Sequence, residues 1–517
     1  MGTAQQTDYP PGRSRRPGRA AALLPALATL GAAAVGVVLV AVQLRVGRQP
    51  PTDHGHATML RLIEAWWALT LLGALLLVRA APRNLERPAA RNLERAAPRN
   101  LERAAPRRGL VLLVLAAGAI ALPAAGFGRG PQLSDDMYRY AWDGRVQAAG
   151  IDPYRYTPVD PALARLRDGW LFPDPAGCTT PPTTPSCTRI NYRNAHTIYP
   201  PVGEAWFLLE HYLPGFDRER HLQLWADAGS LALVALLVAM LRAAGRSAGW
   251  AALYAWSPLA GIDVGSDAHV DALAALLGLA GLHLAMRKRA TFAGGLLGAA
   301  VGVKLYPALL LPAALRRRPL RVLGAAVGLV ALSYVPHVLA VGPGVLGFLP
   351  QYLSVEGYSS GGRFLLLGTV GLSGSAAKVV AVLVVATVIG ISWRSRPAPT
   401  RMALWTVGAA LLVATPVQPW YALTLVALAA VEARWEWLAV ALAAYPLYAQ
   451  PQEALKTTIG ARSFGLALAL VAVVTVIRWA GTPARRAGAP RRQEGQRSSS
   501  SRNSRSSSRI HTSEIVG

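Results

Sequence analysis

The sequence predicts an all-α, polytopic membrane protein, and three observations carry that prediction. Apolar residues make up 53% of the chain and charged residues only 15%, too little charge to cover a water-soluble protein of 517 residues. The apolar residues gather into runs of roughly 17–25, the length that crosses a hydrocarbon core of about 30 Å. Clear examples are Ala21–Val42, Leu320–Val341, Ala376–Trp393 and Ser463–Ala480. These runs lack the polar stripe that a helix buried in a soluble protein usually carries. Third, the arginines behind a formal net charge of +26 sit between the runs and at the two ends, as the positive-inside rule expects. That placement argues against a nucleic-acid partner, whose phosphates need a concentrated basic patch.

The elements follow in order. Residues 1–20 hold Arg13, Arg15, Arg16 and Arg19 and read as a cytoplasmic tail. The first apolar run has no convincing small-residue cleavage site after it and reads as a retained helix. Helices at about 21–43 and 60–78 occupy residues 21–80. Residues 81–108 form a linker in which RNLERPAA is followed by two copies of RNLERAAP, from Arg83 to Pro106. Each copy has one more Arg than Glu, and its prolines interrupt any long helix, so the linker reads as a cytoplasmic spacer that pins topology. A third helix (about 109–127) runs outward to a large outer loop, residues 128–220, that is Pro-rich, aromatic and balanced in charge. Such a loop is too long to be a mere connection.

Nine further spans complete a membrane domain over 109–480, at about 223–241, 249–263, 270–286, 320–341, 376–393, 402–416, 421–433, 435–449 and 462–480. The stretch Phe292–Leu315 is apolar but flanked on both sides by basic clusters, Arg287-Lys288-Arg289 and Arg316-Arg317-Arg318, with Lys304 and Pro307 inside it. Two half-length helices that enter and leave from the cytoplasmic side satisfy both clusters; a single tilted span is the alternative. Residues 481–517, rich in Ser and Arg, read as a disordered cytoplasmic tail. In this arrangement both termini and every large basic cluster are cytoplasmic.

Cys178 and Cys187 are the two cysteines, both in the large outer loop. Outside the membrane a disulfide closing this short segment is expected, against the alternative of two free thiols. A zinc site lacks further ligands at suitable spacing.

The densest chemistry lies in SDDMYRYAWDGRVQAAGIDPYRYTP, Ser134 to Pro158. Asp135 and Asp136 follow the third helix at the membrane surface. Two adjacent surface carboxylates can be merely solvated. Their neighbours Tyr138, Arg139, Tyr140, Trp142, Asp143 and Arg145, however, make an aromatic and charged ensemble suited to sugar stacking and phosphate pairing. Helical spacing puts Asp136, Tyr140 and Asp143 on one face, and a carboxylate held there can act as a general base toward a hydroxyl.

This pattern, D-D-x-Y-R-Y-x-W-D-G-R followed by G-x-D-P-Y, resembles the first outer loop of GT-C glycosyltransferases, in particular actinobacterial mannosyltransferases that use polyprenyl-phosphate mannose. Tyr199-Pro200-Pro201, the segment Ser257 to Leu273, Lys304-Leu305-Tyr306-Pro307 and Gln418-Pro419-Trp420-Tyr421 match in the same order, so the resemblance extends over about residues 110–421. The octapeptide repeat, the two N-terminal helices and the Ser/Arg tail fall outside it.

The resemblance implies a GT-C-like bundle of about 12 transmembrane helices plus a re-entrant pair, set in the plasma membrane among its lipids. It implies transfer of a sugar, with mannose expected, from a polyprenyl-phosphate donor to a hydroxyl of a glycolipid or glycan acceptor, with inversion. By spacing the base falls on Asp136, with Asp135 as the other candidate.

The leaving phosphate needs cations near the surface: Arg363 in the second outer loop and His269 beside Asp271 are the candidates. A headgroup contact for Arg363, and a polar helix cap for His269 and Asp271, are the plain alternatives. Lys304 faces the cavity or snorkels inward, and Trp420 and Tyr421 line a groove or anchor at the interface. No cofactor is implied; His269 and Asp271 alone do not define a metal site, and a divalent metal remains open. A transporter or lipid flippase is the rival reading. It accounts for broken helices and intramembrane charge, yet expects internally related halves, and none is visible in the sequence.

Overall fold

The computed structural model describes residues 19–50, 52–81, 98–173, 187–359, 363–448 and 453–480, and among them it is all-helical, with no strand. The longer helices are α1 (Arg19–Val46), α2 (Asp53–Ala80), α3 (Pro98–Gly126), α4 (Asp136–Ala148), α5 (Pro201–Tyr212), α6 (Glu219–Ala243), α7 (Asp271–Met286), α8 (Ala290–Val303), α9 (Pro319–Val341), α10 (Gly374–Ser395), α11 (Pro399–Val413), α12 (Leu423–Glu432) and α13 (Glu453–Ala480). The chain divides into two compact units, Met1–Ala472 and Val473–Gly517. Helix α3 begins at Pro98, inside the octapeptide repeat, so its last copy is helical; a proline at the first helical position forfeits only an N–H that has no partner there. Residues 82–97 and 481–517 lie outside the described residues.

Among the described residues, seven helices are long and apolar enough to cross a membrane: α1, α2, α3, α6, α9, α10 and α13. Their large apolar side chains are conspicuously exposed, with Leu332 and Leu339 of α9 at 73% and 82%. A surface of that kind is stable facing hydrocarbon and not water. The short apolar helices α7, α8, α11 and α12 lie inside instead, and every residue of α12 is buried. The burial pattern follows composition: α12 reads LTLVALAAVE, apolar all round, and such a helix has no face to give to solvent.

Two of the expected spans, 249–263 and 435–449, are broken next to a proline, and so is the stretch 292–315, for which two half-length helices are the expectation. The segment 249–263 is a 3-10 turn (Ala248–Ala251), one α-turn (Ala252–Ala255) and a π-helical stretch (Leu259–Val264) that follows Pro258. Around Pro446, residues 435–448 form only the short turns Trp435–Trp437, Leu438–Leu442 and Tyr445–Tyr448. Helix α8 stops at Val303, Lys304 is extended (φ −145°, ψ 149°), and a 3-10 turn (Tyr306–Leu310) follows with Pro307 near its start. Proline cannot supply the helical N–H and clashes with the preceding turn, which ends each helix nearby.

Trp256 locks the first break in place. Its indole Nε1 donates to the Leu115 carbonyl of α3 (3.1 Å). Its own carbonyl accepts from Trp66 Nε1 (2.7 Å) and Thr70 Oγ1 (2.8 Å) of α2. Gly73 and Gly118 make room for the ring, since a Cβ at either would stand 2.7 and 2.4 Å from it. Trp256→Ala is therefore expected to destabilise the protein by ~3–5 kcal/mol. Gly118→Ala should lower the thermal unfolding temperature in detergent, whereas Gly36→Ala, whose Cβ meets nothing within 4 Å, should not. Equal tolerance at the two glycines would contradict the packing described.

Candidate active site

The site begins at the turn between α3 and α4. Asp267, fully buried, accepts three successive backbone N–H groups there, from Gln132 (2.6 Å), Leu133 (3.0 Å) and Ser134 (3.2 Å). Gln223 of α6 adds bonds to Gly128 N (2.7 Å) and to the carbonyls of Arg129 and Ser266 (2.9 Å each). The turn is thus staked to the loop before α7, and α4 starts directly from it at Asp136. Helix α4 then lies against α5 closely enough that a Cβ at Gly144 would stand 2.3 Å from the Phe207 carbonyl, so the glycine sets the spacing.

Asp136 faces a cavity of about 490 Å³. Its Oδ1 accepts from Asn191 Nδ2 (2.6 Å), its Oδ2 accepts from the Tyr199 hydroxyl (3.2 Å), and its side chain is 20% exposed. Asp135 shares Asn191 (2.9 Å) and sits wetter, at the cavity mouth. Crowding by the surrounding loop and then the Asp136 charge raise its carboxyl above the ordinary range. The cavity lining is mixed: Arg139, Asn191, Tyr199 and Glu356 contribute polar and aromatic groups, and Leu305, Leu309, Leu411, Ala414 and Val417 contribute apolar ones.

Behind the carboxylate stands a buried charged group. His269 stacks on Trp420 with ring centroids 4.0 Å apart, and its Nδ1 is 3.8 Å from both Asp136 Oδ2 and Asp271 Oδ2. Lys304 Nζ pairs with Asp271 at 3.1 Å and lies over the rings of Tyr199 (5.2 Å) and Tyr421 (5.6 Å). Lys304 lines the cavity because the break after α8 turns its extended residue inward. Tyr421 also lines it and shares a hydroxyl bond with Tyr352 (2.9 Å).

The remaining candidates divide. Arg139 lines the cavity, and its Nε meets both oxygens of Asp143 at 2.9 Å, so Asp143 serves to hold and neutralise it one turn along the helix. Glu204 is buried close to that pair; burial and the Asp143 charge push its carboxyl well above the usual range. The Tyr140 hydroxyl lies 3.4 Å from His269 Nδ1 and 3.5 Å from the Tyr199 hydroxyl, at the back of the site. Arg363 pairs with Glu356 and lies over the Tyr358 ring, both of which line the cavity; its Nε and Nη2 have no partner among the described residues.

Tyr138, Trp142 and Arg145 do not reach the cavity. Tyr138 donates to Glu219 (3.1 Å), Trp142 packs on Phe172, and Arg145 pairs with Asp168 (2.7 Å). Cys187 is disulfide-bonded, and Cys178 lies outside the described residues. No cluster of three or more metal-ligating side chains occurs among the described residues.

Sequence reasoning did not assign Asn191, Tyr199 or Tyr352 to the site. Tyr199 had a signal, since Pro200-Pro201 places it just before the start of α5. Asn191 and Tyr352 had none.

Removing one member of the Asp271–Lys304 pair leaves a buried charge, so Lys304→Met is expected to destabilise the protein by ~3–5 kcal/mol. The double variant Asp271→Leu/Lys304→Met should recover most of that loss in the same thermal unfolding assay. A double variant no more stable than the single one would contradict the pairing.

The model of glycosyltransferase family 87 matches residues 197–416, a span that holds Tyr199, His269, Asp271, Lys304 and Arg363 and begins after Asp136 and Asn191. No curated protein and no solved structure matches the chain. The family match, together with the apolar helices, supports a multi-pass membrane glycosyltransferase of the GT-C type.

Proposed function

We propose that the protein transfers mannose from a polyprenyl-phosphate donor to a hydroxyl of a glycolipid or glycan acceptor, with inversion, at the outer face of the plasma membrane. The observation that carries this reading is the position of Asp136. It is a carboxylate held by two donors in a cavity lined by polar and aromatic side chains together with apolar ones. The polar and aromatic groups suit a sugar, and the apolar groups suit the start of a lipid chain. Asp136 takes the proton of the acceptor hydroxyl as its oxygen attacks C1 of the sugar. The bond from C1 to the phosphate oxygen breaks, and polyprenyl phosphate leaves with the electron pair. Lys304, Arg139 and Arg363 are the cations available to the departing phosphate. Trp420 and Tyr421 border the sugar, and His269 backs the carboxylate.

Twelve spans with a re-entrant pair at 292–315 remain our reading of topology. In it α8 rises from Arg287-Lys288-Arg289 to Lys304, and the segment after Lys304 returns to Arg316-Arg317-Arg318 on the same side. Asp136 serves as the base rather than Asp135, because Asp136 is held by both Asn191 and Tyr199 whereas Asp135 bonds Asn191 from the more exposed position.

The test uses purified protein with labelled polyprenyl-phosphate mannose and membranes as the acceptor source. Asp136→Asn keeps the shape and removes the base, so kcat should fall ~10²–10⁴-fold while donor affinity stays within about twofold. Asp135→Asn should cost less. Undiminished transfer in both variants would overturn the reading.

A further inference from the structure

A second cavity, of about 390 Å³, lies across α4 from the first. Asp135, Asp136 and Arg139 line the first; Ala141 and Arg145 line the second. Tyr140 joins the two, because its ring walls the second cavity and stacks on Phe207 (4.5 Å, 9°) while its hydroxyl reaches His269.

The lining of this second cavity is unusual in its polar groups. Glu210 of α5 is only 4% exposed and borders the space, and its carboxyl has neither a hydrogen-bond donor nor a cation beside it among the described residues. Burial alone pushes that carboxyl up to about 8, so at neutral pH it is mostly protonated and can both donate and accept. Beside it, His221 donates from Nε2 to the Glu210 carbonyl (2.7 Å), which fixes its ring at the edge of the cavity. The Trp170 indole also lines the cavity and is fixed by a bond from Nε1 to Glu219 (2.9 Å), so its face is oriented in advance.

Neutral groups that both donate and accept, next to a fixed aromatic face, match the alternating hydroxyls and C–H face of a sugar ring. An anion fits less well. Arg145 is already committed to Asp168 and to the Leu166 carbonyl, and burial and the Arg145 charge lower the basicity of His211.

We propose that this second cavity is a saccharide subsite that takes a neutral hexose ring of the acceptor at a point away from the bond being formed. Only the word acceptor rests on the glycosyl-transfer reading; the sugar site stands on the cavity itself. Occupancy reaches the reaction centre through Tyr140, whose ring an occupant touches and whose hydroxyl borders His269 and Tyr199.

The test is photo-crosslinking of full-length protein in nanodiscs with a diazirine derivative of methyl α-mannoside, followed by peptide mapping. Crosslinks are expected on Trp170 and on the segment 209–222, separable by peptide from those at the first cavity. Glu210→Leu and Trp170→Ala should each cut labelling of that segment by about tenfold, the loss of roughly one hydrogen-bonded or stacking contact, while Glu210→Gln stays within about twofold. Asp136→Asn should leave this labelling unchanged, so loss of the catalytic reading and loss of the subsite are read separately. Labelling restricted to the first cavity would overturn the proposal, as would displacement of the probe by inorganic phosphate but not by methyl α-mannoside. If Glu210→Leu does not fold, Glu210→Gln and Trp170→Ala decide the matter: equal labelling in both would also overturn it.

Discussion

Everything at the candidate active site depends on the carboxylate of Asp267 and the three backbone N–H groups it gathers from residues 132–134. A buried carboxyl group satisfied by three backbone donors is a strong local anchor, and here its donors belong to the turn that immediately precedes Asp135 and Asp136. The same few residues carry Ser266, bonded to Gln43 of α1 and Gln132 of the turn, and His269. One short segment before α7 therefore fixes the loop carboxylates and the His269–Asp271 group in a single frame. Without it, α4 would enter from an untethered turn, and the 3.8 Å separation between Asp136 and His269 would have nothing to hold it.

That segment can be irregular because the surrounding helices protect it. The long helices present apolar side chains outward, and the short apolar helices fill the interior, with α12 wholly buried. The π-helical stretch is buried throughout and the extended residue at Lys304 lines a cavity, the settings in which irregular backbone is tolerable at membrane depth. Trp256 links this irregular backbone to α2 and α3 through hydrogen bonds at both its indole and its carbonyl. The breaks in turn serve the cavity: Lys304 lines it only because α8 ends one residue earlier.

Much of this was legible in the sequence, for reasons that differ by element. The seven long helices were visible because a span needs a minimum apolar length, which composition displays directly. Asp136 was visible because two carboxylates beside tyrosine and arginine have few structural uses at a membrane surface. Lys304 drew attention because a charge inside an apolar run is costly. The broken elements at 248–264 and 435–448 were read as continuous spans, since hydropathy carries no record of backbone geometry, although Pro258 and Pro446 marked both places. Asp143 and Arg145 were read as ligands for substrate; the structure gives each an internal partner, Arg139 and Asp168. Asn191 meets Asp136 across 55 residues of loop, and no local pattern announces such a pairing.

In the proposed reaction Asp136 moves a proton. Replacing it with alanine opens space beside Asn191 and Tyr199 where a small carboxylate can enter. Transfer of labelled mannose by Asp136→Ala should be nearly abolished and should return in proportion to added formate, while the wild-type protein is indifferent to formate. Transfer by Asp136→Ala at the wild-type rate without formate would contradict the assignment of Asp136 as the base.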